Sequence, residues 1–571
     1  MTAKAMAQHI ASAALNYRWH ILVVAALTAF VLGCVGYWQY FTNADGTPPA
    51  ASDAIYWSLR TFLTYAPLDP HLPLALDIAR FLGPAVAGYA GLEALTLLFR
   101  DRLQQMRATH MRGHVIICGL GYIGATFLRE LDGTGTKVVA VDIDAANPHI
   151  ELCRALGVPV VVGDARLPRV LQAAGVHRAA RLLAVTPDDA LNAEIVAVAR
   201  RLSAARRRGR LRCLARVGDP ELCVLLRVHE ARRAGASSTL DFFNTEEIGA
   251  RLMLRDVPID TDRSSVHIIV ADLNALGSWV VYHAAQAWFE THRGDHQSLI
   301  VSVVDEMAAD RISALLSTHP ALGHVCRFII SGREADSPAI PPPSRAYVAA
   351  YRDQDGLTTA LRLRYELDDG VPVVVALDRT DGVAGLLDDA RHAGAYNIHV
   401  FPTLERSCSV GLVEGGSFET IAEAIHRRWR TETAARGVTA PPWSEADKAG
   451  RESSRAQARH IPVKLRAIGC EVTPLRDWAA SQFELSASEV ETLAAMEHDR
   501  WRDERRSRPS KDERTDSGDV HMVPFDELPG EIAEMNRAFV RDIPGLLASA
   551  GLQLVRAPEL ARVRHVEADN I

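Results

Sequence analysis

His114–Asp142, HVIICGLGYIGATFLRELDGTGTKVVAVD, constrains the fold more than any other stretch of this chain. An apolar run (VIIC) leads into Gly119-Leu120-Gly121-Tyr122-Ile123-Gly124, then an amphipathic segment, then a second apolar run ending in Asp142. Strand, glycine turn, helix and strand form a βαβ unit, and the spacing is that of a dinucleotide-binding fingerprint. Gly119 makes the tight turn, Gly121 lets a phosphate approach the backbone, and Gly124 lets the helix pack on the strand. The free N–H groups of the helix N-terminus face the anion. Asp142 is placed to accept from a ribose hydroxyl.

The alternation continues. VPVVVGDA (158–165), RLLAVT (181–186) and RCLARV (212–217) are further strands, the first two followed by helical runs, which predicts a doubly wound parallel sheet. A second series begins at VHIIV (266–270). Its turn, Ala271-Asp272-Leu273-Asn274-Ala275-Leu276-Gly277, keeps only the last glycine, so it predicts the same fold without the phosphate cradle. SLIVSVVD ends at Asp305, where a structural role is expected, and HVCRFIIS, AYVAAY and PVVVAL continue that sheet.

At 571 residues the chain exceeds what one core holds. A hydrophobic share of 48% suits a small membrane part on a larger soluble body. The net charge of -7 argues against a nucleic-acid partner, and the basic run Arg200–Arg212 reads first as a solvated helix end, with anionic headgroups as the alternative. Eight scattered cysteines without a C-x-x-C pair read as reduced, buried thiols. No metal site is expected.

His20–Tyr37 carries no Asp, Glu, Lys or Arg and is about as long as a bilayer core requires. Phe81–Phe99 is a second apolar stretch, and Arg100, Arg102, Arg107 and Arg112 after it place that end in the cytoplasm. Both termini are then cytoplasmic, in a two-pass protein of the cell (inner) membrane. Between the two, Ser52–Thr64 suits a short re-entrant helix, which is tolerated at membrane depth only inside protein or a water-filled cavity. Two helices cannot enclose a pore, so conduction requires several subunits. Glu93 either lines that pore or pairs near the interface with an arginine such as Arg100.

The order of helix, short helix, loop and helix resembles the potassium-channel pore module, and DAIYWSLRTFLT resembles its pore helix. That resemblance implies a homotetramer. It also puts Thr64, Tyr65, Ala66, Pro67, Leu68 and Asp69 where the filter lies. A potassium filter stacks rings of backbone carbonyls on glycine-rich backbone. This stretch has no glycine, and Pro67 restricts both itself and Ala66. The expected pore is therefore not of the potassium type. Asp69 forms an acidic ring or is a solvated loop acid.

GDARLPRVLQAAGVHRAARLLAVTPDD resembles the regulator-of-potassium-conductance (RCK, Trk-type) nucleotide-binding domain. The resemblance implies that Asp164 and Thr186 flank the nucleotide crevice, with helix capping as the alternative for Asp164. The implied ligand is NAD(H) or an adenine nucleotide such as ATP, ADP or an ADP-ribose-like molecule. Two such lobes per chain give eight per tetramer, the count of an RCK gating ring.

After a polar linker at Arg430–Lys448, Ala458, Ile461, Leu465 and Ile468 form one helical stripe, and Val490, Leu493, Ala494, Glu497 and Trp501 another. Leu493, Ala494, His498 and Trp501, then His521, Pro524 and Leu528, resemble the ryanodine-receptor (RyR) repeat. Its usual G-W-x-Y-G is replaced by the polar run Arg505–Asp519. The resemblance implies a site for nucleotide-like messengers, with Trp501 stacking on a base, Arg455, Lys464 and Arg500 meeting phosphates, and Glu497 and His498 beside them. The alternative is a core Trp501 with a Glu497–Arg455 ion pair.

The expected fold is thus multidomain: a membrane pore-like domain (1–110), an RCK-type Rossmann domain (111–255), a degenerate second α/β copy (256–432) and a mostly helical RyR-like domain (433–565). The expected function is a nucleotide-gated ion channel, not an enzyme, with a role in stress or antiviral defence implied by resemblance alone. The alternatives are a non-conducting membrane-anchored sensor or scaffold and an NAD-dependent oxidoreductase.

Overall fold

The computed structural model describes residues 3–45, 48–63, 72–204, 210–234, 239–292, 298–330, 340–350, 352–378, 397–435, 437–507 and 521–556, with side chains outside 3–19, 44–45, 96–105 and 231–234. The chain divides into two compact units, Met1–Met106 and Arg107–Ile571.

The first unit is helical: α1 (Ala3–Asp45), α2 (Ala51–Thr61) and most of α3 (Leu74–His110). Within α1, Gly33 and Gly36 let neighbours approach closely. A Cβ on Gly33 would lie 2.3 Å from Ser58 Oγ, and one on Gly36 would lie 2.5 Å from the Leu76 backbone nitrogen. Ser58 donates to the Phe30 carbonyl at 2.8 Å, which satisfies a hydroxyl that would otherwise be buried unpaired. Among the described residues, His20–Asn43 is the one stretch long and apolar enough to cross a membrane. The second expected span, Phe81–Phe99, lies inside α3 and does not meet that standard over its described residues.

The second unit holds two six-stranded sheets in which every described pairing is parallel. The first runs β3-β2-β1-β4-β5-β6, with β1 Val115–Cys118, β2 Val138–Asp142, β3 Val160–Val162, β4 Arg181–Ala184, β5 Arg212–Arg216 and β6 Leu240–Phe243. The second runs β12-β11-β10-β7-β8-β9, with β7 His267–Ala271, β8 Leu299–Val304, β9 Cys326–Ile330, β10 Arg345–Val348, β11 Val373–Leu377 and β12 Ile398–Pro402. Counted from its own first strand, each sheet has the order 3-2-1-4-5-6, so the two halves share one Rossmann topology. Both faces are buried, which explains the near-continuous apolar runs of strands such as VIIC and VVVAL. In β1, Val115 and Ile117 enter one core while Ile116 and Cys118 enter the other.

The first lobe is completed from far along the chain. After β12 the helices Thr403–Ser407 and Val410–Gly415 return to it, and Cys408, Leu412 and Val413 join the core of Val115, Ile117, Phe127 and Leu183. The chain then forms helices Glu419–Ala435, Lys448–Ala467, Ala487–Ser507, Gly530–Arg541 and Ile543–Ala548. The expected linker at Arg430–Lys448 is helical as far as Ala435. The expected mostly helical C-terminal part also contains an antiparallel pair, β13 (Cys470–Pro474) with β14 (Leu552–Arg556).

Candidate functional site

The glycine turn lies between β1 and β4, where the strand order of the first sheet reverses, and opens at the carboxyl ends of the strands. Gly119 has φ +100, a conformation that side chains resist, and a Cβ there would meet Thr186 at 3.1 Å. A Cβ on Gly124 would lie 2.0 Å from the Gly119 carbonyl oxygen, so this glycine permits the contact between helix and turn. Gly121 is different. It precedes helix α4 (Tyr122–Gly133) at φ -69, and a Cβ there would touch nothing within 4 Å. Neither the backbone nor a neighbour requires a glycine at 121.

Asp142 anchors the turn. Its Oδ2 accepts from Leu120 N at 2.7 Å and its Oδ1 from Asp144 N at 2.9 Å. Asp164 accepts from Arg166 through both oxygens, at 2.8 Å to Nη2, and this hydrogen-bonded guanidinium holds its carboxyl below the usual carboxylate range. The Thr186 hydroxyl is occupied within the fold: Oγ1 lies 2.8 Å from Asn192 Oδ1 and 3.1 Å from the Asp188 carbonyl. Asn192, fully buried, also donates to the carbonyls of Thr186 and Arg216 and so ties β4 to β5. Sequence reasoning passed over Asn192. Its signal was a polar residue on the apolar side of the helix Asp189–Ser203.

The second lobe repeats this turn with side chains in place of the cradle. Asp272, at the position of Gly119, has φ +70 and is the only non-glycine with positive φ among the described residues. A Cβ on Gly277 would lie 2.2 Å from the Asp272 carbonyl oxygen, repeating the Gly124–Gly119 approach. Asp305 Oδ2 accepts from Leu273 N at 2.8 Å and Oδ1 from Met307 N at 2.7 Å, the two bonds that Asp142 makes. Arg311 Nη1 bridges Asp272 at 2.7 Å and Asp305 at 2.5 Å. Asn274 caps the following helix and donates to the Ala349 carbonyl. This lobe is filled where the first is open.

In the C-terminal part a cavity of about 360 Å³ is lined by Trp429, Gln457, Glu497, His498, Arg500 and Trp501, among others. The rings of His498 and Trp501 stack at 5.9 Å. Glu497 is buried among cations: Oε1 accepts from Gln457 at 2.9 Å and from Arg500 at 2.8 Å, and Oε2 forms an ion pair with Lys464 Nζ at 2.6 Å. Burial pushes its carboxyl up, but the charges of Lys464 and Arg500 outweigh that and hold it below the usual range. Arg500 also holds Glu504 at 2.6 Å. Arg455 is elsewhere: its guanidinium meets Glu414 and Glu419, each at 2.7 Å, and it lines a separate cavity of about 1080 Å³. The expected ion pair of Glu497 with Arg455 is therefore one with Lys464 and Arg500. Lys464 is fully buried behind Glu497 and does not line the smaller cavity.

Of the residues expected at a pore, Glu93 is half-buried in α3. Thr64, Tyr65, Ala66 and Asp69 lie outside the described residues.

Residues 115–239 match the TrkA-N domain family. Potassium channel protein 1 of Methanocaldococcus jannaschii is 23% identical over 185 residues, 32% of this chain and 56% of that protein. The glutathione-regulated potassium-efflux system protein KefC of an Enterobacter species is 33% identical over 137 residues, 23% of this chain and 22% of that protein. The chain thus spans between about a fifth and about half the length of the curated relatives it matches. Among solved structures, a mutant of the GsuK channel is 18% identical with TM-score 0.37, covering 71% of this chain and 98% of its own. The GsuK channel bound to NAD is 14% identical with TM-score 0.34, covering 85% and 90%.

Proposed function

We propose that this chain is a nucleotide-gated, RCK-regulated ion channel of the cell membrane whose filter is not of the potassium type. The observation that carries the reading is Gly121, a glycine with ordinary φ and open space around it at the switch point of a Rossmann sheet. The TrkA-N match over the same lobe and two relatives named for potassium transport support it. The ligand is NAD(H) or an adenine nucleotide, held by the turn at Gly119–Gly124 with Asp142 toward the ribose. Four chains surround the pore, and the second lobe, closed by its own Arg311, serves assembly. The ligand acts by binding the open and closed states unequally. The RyR-like domain adds a second ligand cavity walled by Trp501. Because its nearest cations are already paired, that cavity favours a stacking base over a phosphate.

A second reading, a membrane-anchored sensor without conduction, is favoured by one observation: TFLTYAPLDP has no glycine where a carbonyl ladder would need it. Native mass spectrometry of the purified protein would identify the retained nucleotide, and planar-bilayer recording with that nucleotide would separate the readings. A nucleotide-dependent current supports the channel, and retention without current supports the sensor.

A further inference from the structure

The opposite, N-terminal edge of the first sheet carries an unexplained cluster of positive charge. Arg181 opens β4 and Arg212 opens β5, and the two are register partners on adjacent parallel strands. Their guanidinium groups therefore start about one strand spacing apart, roughly 4.8 Å at the backbone. Arg459, from the helix Lys448–Ala467, meets them from the C-terminal part, and all three line a cavity of about 70 Å³. Like charges at such separations repel unless something sits between them.

The carboxylates nearby are already engaged. Glu414 accepts from Arg455 at 2.7 Å, and Glu452 pairs with Arg459 at 2.8 Å, which offsets one of the three cations and leaves Arg181 and Arg212. Asp241, which also lines the cavity, accepts from the backbone nitrogens of Ser417 and Phe242, and burial raises its pKa. Neither Arg181 nor Arg212 has a carboxylate within ion-pair distance among the described residues; the one bond to Arg212 is a long one, 3.4 Å, to the Glu414 carbonyl. The Nε atoms of Arg181 and Arg459 are buried without a hydrogen-bond partner. Desolvation and the neighbouring Arg459 hold the Arg212 pKa down, to about 10, although its side chain is partly open to solvent.

We propose that Arg181, Arg212 and Arg459 form an oxyanion site that takes one phosphate group where the C-terminal helices close on the first Rossmann lobe. Guanidinium forks suit a tetrahedral oxyanion, and the cavity is too small for a nucleoside. The phosphate comes from solution or from a lipid headgroup. In either case it bridges two parts of the chain, so its binding tightens their contact. The site is at the far end of the sheet from the glycine turn and does not depend on what that turn binds.

The test uses the full chain in neutral detergent, carrying Gly121→Val so that the glycine turn does not contribute. Thermal unfolding is followed against inorganic phosphate, against micelles doped with phosphatidylglycerol, and against chloride at matched ionic strength. The expected result is a saturable rise in Tm with one phosphate source over chloride, lost in Arg181→Gln/Arg212→Gln and reduced in Arg212→Gln alone, a change at an exposed residue. Which source works identifies the donor. The double variant should also be more stable than its parent in chloride, because the repulsion is gone. A phosphate effect equal in parent and variants, or no effect beyond chloride from either source, overturns the proposal.

Discussion

Gly119 and Asp272 occupy the same turn in two sheets of the same strand order, and both have positive φ, +100 and +70. In one lobe the conformation is met by a residue without a side chain. In the other it is met by an aspartate whose carboxylate is held by Arg311. One backbone design is therefore kept twice, open in one lobe and closed in the other.

Two glycines of the first turn should separate under mutation. Gly121→Val should cost about 1 kcal/mol or less, the loss of a favourable helix N-cap residue, yet abolish nucleotide retention. Gly124→Ala should destabilise by about 1–3 kcal/mol, because its Cβ would collide with a backbone oxygen that cannot move aside. Urea unfolding with mass spectrometry of bound nucleotide reads both. Equal loss of stability in the two variants would contradict the assignment of Gly121 to a ligand.

Arg311→Met should remove the bridge between Asp272 and Asp305 and cost about 1.5–3 kcal/mol, the range for hydrogen bonds to charged groups. Nucleotide affinity, measured by calorimetry, should not change, since the proposed nucleotide site is in the first lobe. A drop in affinity would place a binding role there.

Lys464→Met should strand Glu497 in a buried setting with fewer compensating charges and cost about 3 kcal/mol or more. Lys464→Met/Glu497→Gln should recover part of that loss, because the uncompensated charge is gone. Chemical denaturation of the three proteins decides it. A double variant no more stable than Lys464→Met would show that the pair's charge is not what matters.

The sequence made some of this legible and hid the rest for physical reasons. The β1–α4–β2 unit could be read because its glycines and its helical and strand periods agree. The last strand of each sheet, LDFF and IHVFP, could not: both are short and interrupted by polar residues. Nor could the return of Cys408, Leu412 and Val413 to the first lobe, because periodicity identifies a buried face without saying what buries it. The same limit explains Glu497. Its apolar stripe announced a partner, but only the helix packing selected Lys464 over Arg455.

Acid should weaken the second unit before carboxylates titrate. Burial pushes His283, His319 and His460 down to about 4, with the nearby charges of Arg251 and Lys464 adding to it for His283 and His460. An unfolded histidine binds its proton near pH 6.5. Between about 6.5 and 4 the unfolded chain therefore binds more protons than the folded one, and stability falls as pH falls, by at most about 1.4 kcal/mol per pH unit per histidine. Urea midpoints from pH 7.5 to 5 should decline, with a shallower slope in His283→Phe. A flat profile in the parent protein would contradict the burial of these rings.

Planar-bilayer recording on the purified protein, with and without Gly121→Val, tests the central claim most directly. The claim predicts a current that changes when NAD or ADP is added to the parent protein, and a current in the variant that ignores both. No current under any nucleotide condition, or a nucleotide response unaltered by Gly121→Val, would contradict it.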